Sequence, residues 1–214
     1  MNMLDTAIAD PNPSVRLHAA LSAGITPSPG NLDALLARCA VEPDFQVREM
    51  LTWALLRLPA DIVLPRLLAE LDRPDAQARS QALHTLSKLR DPSAWPDVAA
   101  RLDDADPDVV RTAWYTAVAI VPATERDWLA EKLAARLGQG ESEVRMSLSR
   151  ALAGLGRETI APVLAAAAEH KDSAVRQHAA AIDRLLDDPD LGFTLSTWSA
   201  RREVGLGRTR SAKG

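Results

Sequence analysis

Asp106-Pro107-Asp108-Val109-Val110-Arg111 begins with residues that start helices and ends on an apolar pair followed by an arginine. A carboxylate caps the free amide hydrogens of a first helical turn, and proline is tolerated there because its missing N–H would have had no partner. The closing pair recurs along the chain, at Val15-Arg16, Val47-Arg48, Ala78-Arg79, Val144-Arg145 and Val175-Arg176, with successive arginines 32, 31, 32, 34 and 31 residues apart. A polar turn precedes each one: Asp10-Pro11-Asn12-Pro13, Glu42-Pro43-Asp44, Arg73-Pro74-Asp75, Gly140-Glu141-Ser142 and Lys171-Asp172-Ser173. A nearly constant interval of this size marks a tandem supersecondary repeat.

Apolar residues after each arginine fall on one helical face, as at Val47, Leu51, Ala54, Leu55 and Leu58, or Val144, Leu148, Ala151, Leu152 and Leu155. A second amphipathic stretch precedes each turn, for example Ile62 to Leu71, Trp128 to Leu137 and Ile160 to Ala168. Each repeat is therefore a helical hairpin that cannot bury its apolar face alone and must stack on its neighbours. The spacing predicts an all-α chain, an α-solenoid or superhelix of about six hairpins over 1–190, with units near 1–26, 31–60, 61–90, 93–122, 125–156 and 158–187. Composition agrees: 38 Ala and 30 Leu against only 4% aromatic residues imply a core of small and medium aliphatic groups packed between helices.

The Asp-Pro-Asp-x-x-Val-Arg type turn resembles that of the HEAT repeats, in their short variant related to phycobilisome-lyase repeats, over roughly positions 1–190. A second family mark is proline in the first helix of a unit, at Pro65, Pro96 and Pro162. The resemblance implies that Arg16, Arg48, Arg79, Arg111, Arg145 and Arg176 form a structural ladder, each reaching a turn group of the adjacent unit. Asn12, Asp44, Asp75, Asp106 or Asp108, Glu141 and Asp172 are the expected turn groups.

In a solenoid the second helices line the concave wall, where partners bind. Counting from each arginine, the positions at the margin of the buried stripe include Glu49, Trp53, His84, Thr112, Met146, Arg150 and Gln177, with Tyr115 beside them. Aromatic and arginine anchors of this kind suit a protein or peptide partner, although Trp53 and Tyr115 could equally fill gaps between helices. Trp114 is expected in the core.

Chemical motifs fail on spacing. His18 and His178 stand at equivalent places five repeats apart, too far to share a metal. Asp104-x-Asp106-x-Asp108 starts like a calcium loop, but Val109 stands where glycine is needed and Tyr115 where glutamate is needed. Gly154-Leu155-Gly156 and Gly205-Leu206-Gly207 lack the preceding strand and third glycine of a dinucleotide fingerprint. No cofactor and no metal is expected.

Net charge is −4, and residues 201–214 carry five Lys or Arg against one Glu, which leaves the first 200 at −8. Such a body disfavours phosphate tracking, so a nucleic-acid partner is not expected. The single cysteine, Cys39, makes no internal disulfide, and no apolar run is long enough to span a bilayer, which fits a cytoplasmic protein away from membranes. Residues 191–200 read as an apolar C-terminal cap and 201–214 as a flexible basic tail, where Arg201, Arg202, Arg208 and Arg210 are candidate contacts for an acidic partner.

The function these features favour is a non-catalytic interaction scaffold. The alternative classes come from the resemblance: a HEAT-like DNA-acting enzyme such as an alkylpurine DNA glycosylase, or a bilin-lyase-type modifying protein. The oligomeric state stays open.

Overall fold

The computed structural model describes residues 3–187, and among them all regular structure is helical. Twelve α-helices follow one another: α1 Met3–Ile8, α2 Pro13–Ile25, α3 Leu32–Cys39, α4 Phe45–Leu55, α5 Ala60–Glu70, α6 Ala76–Leu89, α7 Trp95–Ala99, α8 Pro107–Ile120, α9 Arg126–Ala134, α10 Ser142–Gly154, α11 Arg157–Ala168 and α12 Ser173–Asp187. They pair as first and second helices of six hairpins, and the fold is an all-α solenoid of the kind the period predicts. The expected cap at 191–200 and the tail with Arg201, Arg202, Arg208 and Arg210 lie outside the described residues.

The polar turns start the second helices through two layers of side-chain acceptors. Asn12 accepts from the amide of Ser14, Asp44 from Gln46 and Val47, Asp106 from Asp108 and Val109, and Asp172 from Ala174, all at 2.8–3.2 Å. Two residues before each of these caps a second acceptor takes the amide of the cap itself: Asp10, Glu42, Asp104 and His170, at 2.7–3.1 Å. Six of the donors that the helix starts would otherwise leave open are thereby satisfied locally.

First helices are less regular. Short 3₁₀ turns at Pro29–Asn31, Pro92–Ala94 and Ala123–Glu125 precede α3, α7 and α9. Pro65 and Pro162 sit inside their helices, whereas Pro96 falls in the first turn of α7, where proline costs no hydrogen bond. The difference arises because the 3₁₀ turn at Pro92–Ala94 delays the start of α7 to Trp95.

The chain divides into two compact units, residues 1–123 and 124–214. In the first, α1–α8 form four hairpins around Leu35, Leu51, Leu55, Leu67, Leu71, Leu83, Leu86 and Leu102, each less than 2% exposed. Trp114 is also buried there, its indole N–H donating to the Leu102 carbonyl at 3.3 Å. Cys39 is buried beside Leu36, Leu55 and Leu67, and burial, with Glu70 and Glu42 adding to it, pushes its thiol up to about 12. In the second unit, α9–α12 form two hairpins around Leu129, Leu133, Leu148 and Leu152.

The repeat arginines do two jobs. Nη1 of Arg16, Arg48, Arg79 and Arg176 each rests on the carbonyls six and five residues earlier, closing its own turn at 2.6–2.9 Å. Arg16 and Arg79 in addition grip a carboxylate of the next repeat through Nε and Nη2, Glu42 at 2.8 and 2.7 Å and Asp104 at 3.0 and 2.8 Å. These acids stand two residues before the capping Asp44 and Asp106 that spacing points to. The caps are engaged with the amides of their own helices. Arg111 pairs with Asp108 of its own helix, and Arg145 is exposed.

Glu42 is the most loaded of these groups. Its fully buried carboxylate takes Arg16, the Nε of Arg38 at 2.7 Å and the amide of Asp44. Burial works to raise its pKa, but the two guanidiniums and the amide outweigh it and hold the group at about 2.

Candidate functional site

The candidate surface belongs to the second helices, and each unit presents its own part. In the first unit α2 packs along α4 and α6 along α8, and buried and half-buried polar groups tie the layer together. Gln81 donates to Thr52 at 2.8 Å, the Ser80 and Thr112 hydroxyls meet at 2.8 Å, and Thr116 donates to the Leu83 carbonyl at 3.0 Å. Thr112 also donates to the Asp108 carbonyl at 2.9 Å, so this candidate serves the framework as well as the surface. Satisfied networks of this kind fix helices in one arrangement.

Trp53 lies across α2 at Gly24. A Cβ on that glycine would fall 2.1 Å from the indole Cζ3, so the ring is seated where only a hydrogen leaves room. The residue nevertheless remains 37% exposed. Gap filling and exposure, set against each other in the sequence, thus coexist in this residue. Tyr115 is 55% exposed on α8, and the Lys88 ammonium of α6 stands over its ring, 5.9 Å from the centroid.

His84 on α6 lies between these aromatics in sequence order, its Nε2 2.9 Å from a Glu49 carboxylate oxygen on α4. The contact is short but poorly aligned, leaving Nε2 without a well-directed hydrogen bond. Burial lowers the His84 pKa; Glu49 opposes this, and Lys88 and Arg48 add to it.

In the second unit Met146 is half-buried on α10, Arg150 is exposed on the same helix, and Gln177 is exposed on α12. Next to Gln177, His178 is buried and central. Its Nδ1 accepts from the Gly138 amide at 3.0 Å, while Nε2 faces the Ser149 hydroxyl at 3.0 Å and the Arg145 carbonyl at 3.1 Å. An accepting Nδ1 fixes the neutral ring with its proton on Nε2, and burial lowers the pKa accordingly. His178 is thus a structural node of the hairpin pair.

Sequence reasoning missed Lys88, Gly24 and Phe45. Lys88 was signalled by its place one helical turn after His84. Gly24 carried no signal, since its meaning depends on a ring 29 residues later. Phe45, 65% exposed, lies under the Arg48 guanidinium at 5.8 Å. Among the described residues no helix is long and apolar enough to cross a membrane.

Comparison with known proteins matches residues 41–119 to the HEAT repeats family. No curated protein matches the chain. Among solved structures, the complex of CpcE and CpcF of phycocyanin lyase from Nostoc sp. PCC7120 is similar at 22% identity and a TM-score of 0.49, over 83% of this chain and 73% of that one. An engineered protein is similar at 18% identity and a TM-score of 0.47, over 90% of this chain and 98% of the other.

Proposed function

We propose that this member of the HEAT-repeat family is a non-catalytic scaffold that holds a protein or peptide against the concave side of its second helices. One observation carries the reading: Trp53 and Tyr115 stand exposed on helices whose mutual positions are fixed by the buried hydrogen bonds of Gln81 with Thr52 and of Thr116 with Leu83. Rigid aromatic anchors on a pre-formed layer give contact area at little ordering cost. Glu49, His84, Thr112 and Lys88 supply polar groups around them, as a rim does in protein interfaces. Met146, Arg150 and Gln177 extend the reading to the second unit, and the basic tail contributes contacts to an acidic region of the partner. A cytoplasmic location fits the single buried thiol.

The test is affinity capture from a native lysate with the full chain, compared with a Trp53→Ala plus Tyr115→Ala double variant. The captured protein is expected to fall by about tenfold or more in the double variant while circular dichroism keeps the helical signature of the parent. Val41→Ala, at a residue 64% exposed and outside the second helices, serves as control and should leave recovery unchanged. Equal recovery by the double variant and the parent would argue against this surface.

A further inference from the structure

Fixing one guanidinium nitrogen on two carbonyls fixes the plane of an arginine and therefore the direction of its opposite edge. Nη1 of Arg48 is held on the carbonyls of Glu42 and Pro43 at 2.9 Å, as Nη1 of Arg16 is on Asp10 and Pro11 and of Arg79 on Arg73 and Pro74. At Arg16 and Arg79 the Nε–Nη2 edge takes a carboxylate in two-point fashion, from the residue two before the next cap.

For Arg48 the residue in that place is Arg73, which turns instead to Glu70 at 3.7 Å and Asp75 at 3.1 Å. No carboxylate of the described residues pairs with Arg48 within 4.0 Å. The junction is tied by another route: Gln77 donates to the carbonyls of Cys39 and Glu42 at 3.0 and 2.8 Å, leaving the Arg48 edge unused. Here α4 and α6 also pack less closely than α2 with α4 or α6 with α8. A groove of about 260 Å³ opens beside Arg48, lined by Gln77, Ser80 and Gln81 and bounded by Asp106 and Asp108. Phe45 supports the guanidinium plane from one side.

We propose that the Nε–Nη2 edge of Arg48 is a docking point for a peptide carboxylate from outside the chain, seated where Glu42 and Asp104 sit at the neighbouring junctions. Asp106 and Asp108 across the groove favour a carboxylate that arrives with hydrogen-bond donors beside it, as the backbone amides of a peptide provide. The carboxylate is an acidic side chain or a free carboxyl terminus. This site is independent of Trp53 and Tyr115 and stands whether or not they bind a partner.

The test follows the arginine Nε–H resonances of the full chain by ¹⁵N-resolved NMR at constant ionic strength. Two probes are titrated: acetyl-Ala-Glu-Ala-amide, which offers a side-chain carboxylate, and acetyl-Ala-Ala-Ala with a free carboxyl terminus. The Arg48 signal is expected to move downfield and saturate with at least one probe, while that of the exposed Arg57 drifts without saturating. The probe that saturates at the lower concentration identifies the source of the carboxylate. In Arg73→Glu the new side chain should occupy the edge itself: the Arg48 signal starts downfield and no longer titrates. Absence of saturation with both probes, equal saturable shifts at Arg57, or an unchanged titration in Arg73→Glu would overturn the proposal.

Discussion

Glu42 concentrates the cost of burying charge at one side chain. Two guanidiniums and an amide compensate a carboxylate that has left water completely. Removing one partner of such a set leaves the others uncompensated, so Glu42→Gln is expected to destabilise the chain by about 3–5 kcal/mol, read from urea unfolding at neutral pH. The pH dependence follows in sign. Because the folded pKa of about 2 lies below the ordinary 4.5, the unfolded chain binds the proton first. The stabilisation from Glu42 is fully present above about 4.5 and is lost as pH falls toward 2. Between these limits the parent should lose stability more steeply than Glu42→Gln, and equal slopes would sink the assignment. The arginine of this rung was legible from its period. Its acid was not, since Glu42 and Asp44 lie within the same turn and spacing cannot say which one caps its own helix and which faces the preceding repeat. The surface residues divide in the same way: Trp53 and Tyr115 stood out by type and register, but that Trp53 is seated on Gly24 needs the packing of two helices.

Helix ends show where local sequence suffices and where it does not. Asn12, Asp44, Asp106 and Asp172 announce their helices because a cap acts on amides two or three residues away, within the span that a sequence displays. Of the 3₁₀ turns before the first helices, the one leading into α7 announces itself in the same way, Asp91 accepting from the Ser93 amide at 2.9 Å with Pro92 between them, whereas Ser28 before Pro29 makes no such bond. Helix α6 ends on Arg90 at φ 56°, the only left-handed non-glycine residue among those described. Its amide still closes the last turn on the Leu86 carbonyl at 3.0 Å, so the conformation is retained despite the steric cost at Cβ. Arg90→Gly is therefore expected to stabilise the protein by roughly 0.5–1 kcal/mol, seen as a higher urea midpoint with an unchanged slope. A lower midpoint would mean that the Arg90 side chain contributes more than its backbone strain removes.

At the scale of the molecule, the period of 31–34 residues revealed the repeats but not their grouping. The division near residue 123 falls within the longest interval, between Arg111 and Arg145, yet a two- or three-residue difference does not by itself distinguish a longer loop from a domain boundary. Residues 1–123 hold their own leucine core, their own caps and the two-point rungs of Arg16 with Glu42 and Arg79 with Asp104. The fragment 1–123 is expected to keep its helical circular dichroism and to unfold in one cooperative urea transition; a broad, gradual loss of signal would show that its core depends on the remainder.

Burial of Cys39, with its thiol held far above neutral pH, has a practical corollary for following this chain in solution. A maleimide dye or spin label added to the native protein finds no competing sulfur, so one cysteine introduced at any exposed position becomes a uniquely addressable reporter. Pairs of such reporters yield distances between chosen repeats without first deleting the native residue from the core.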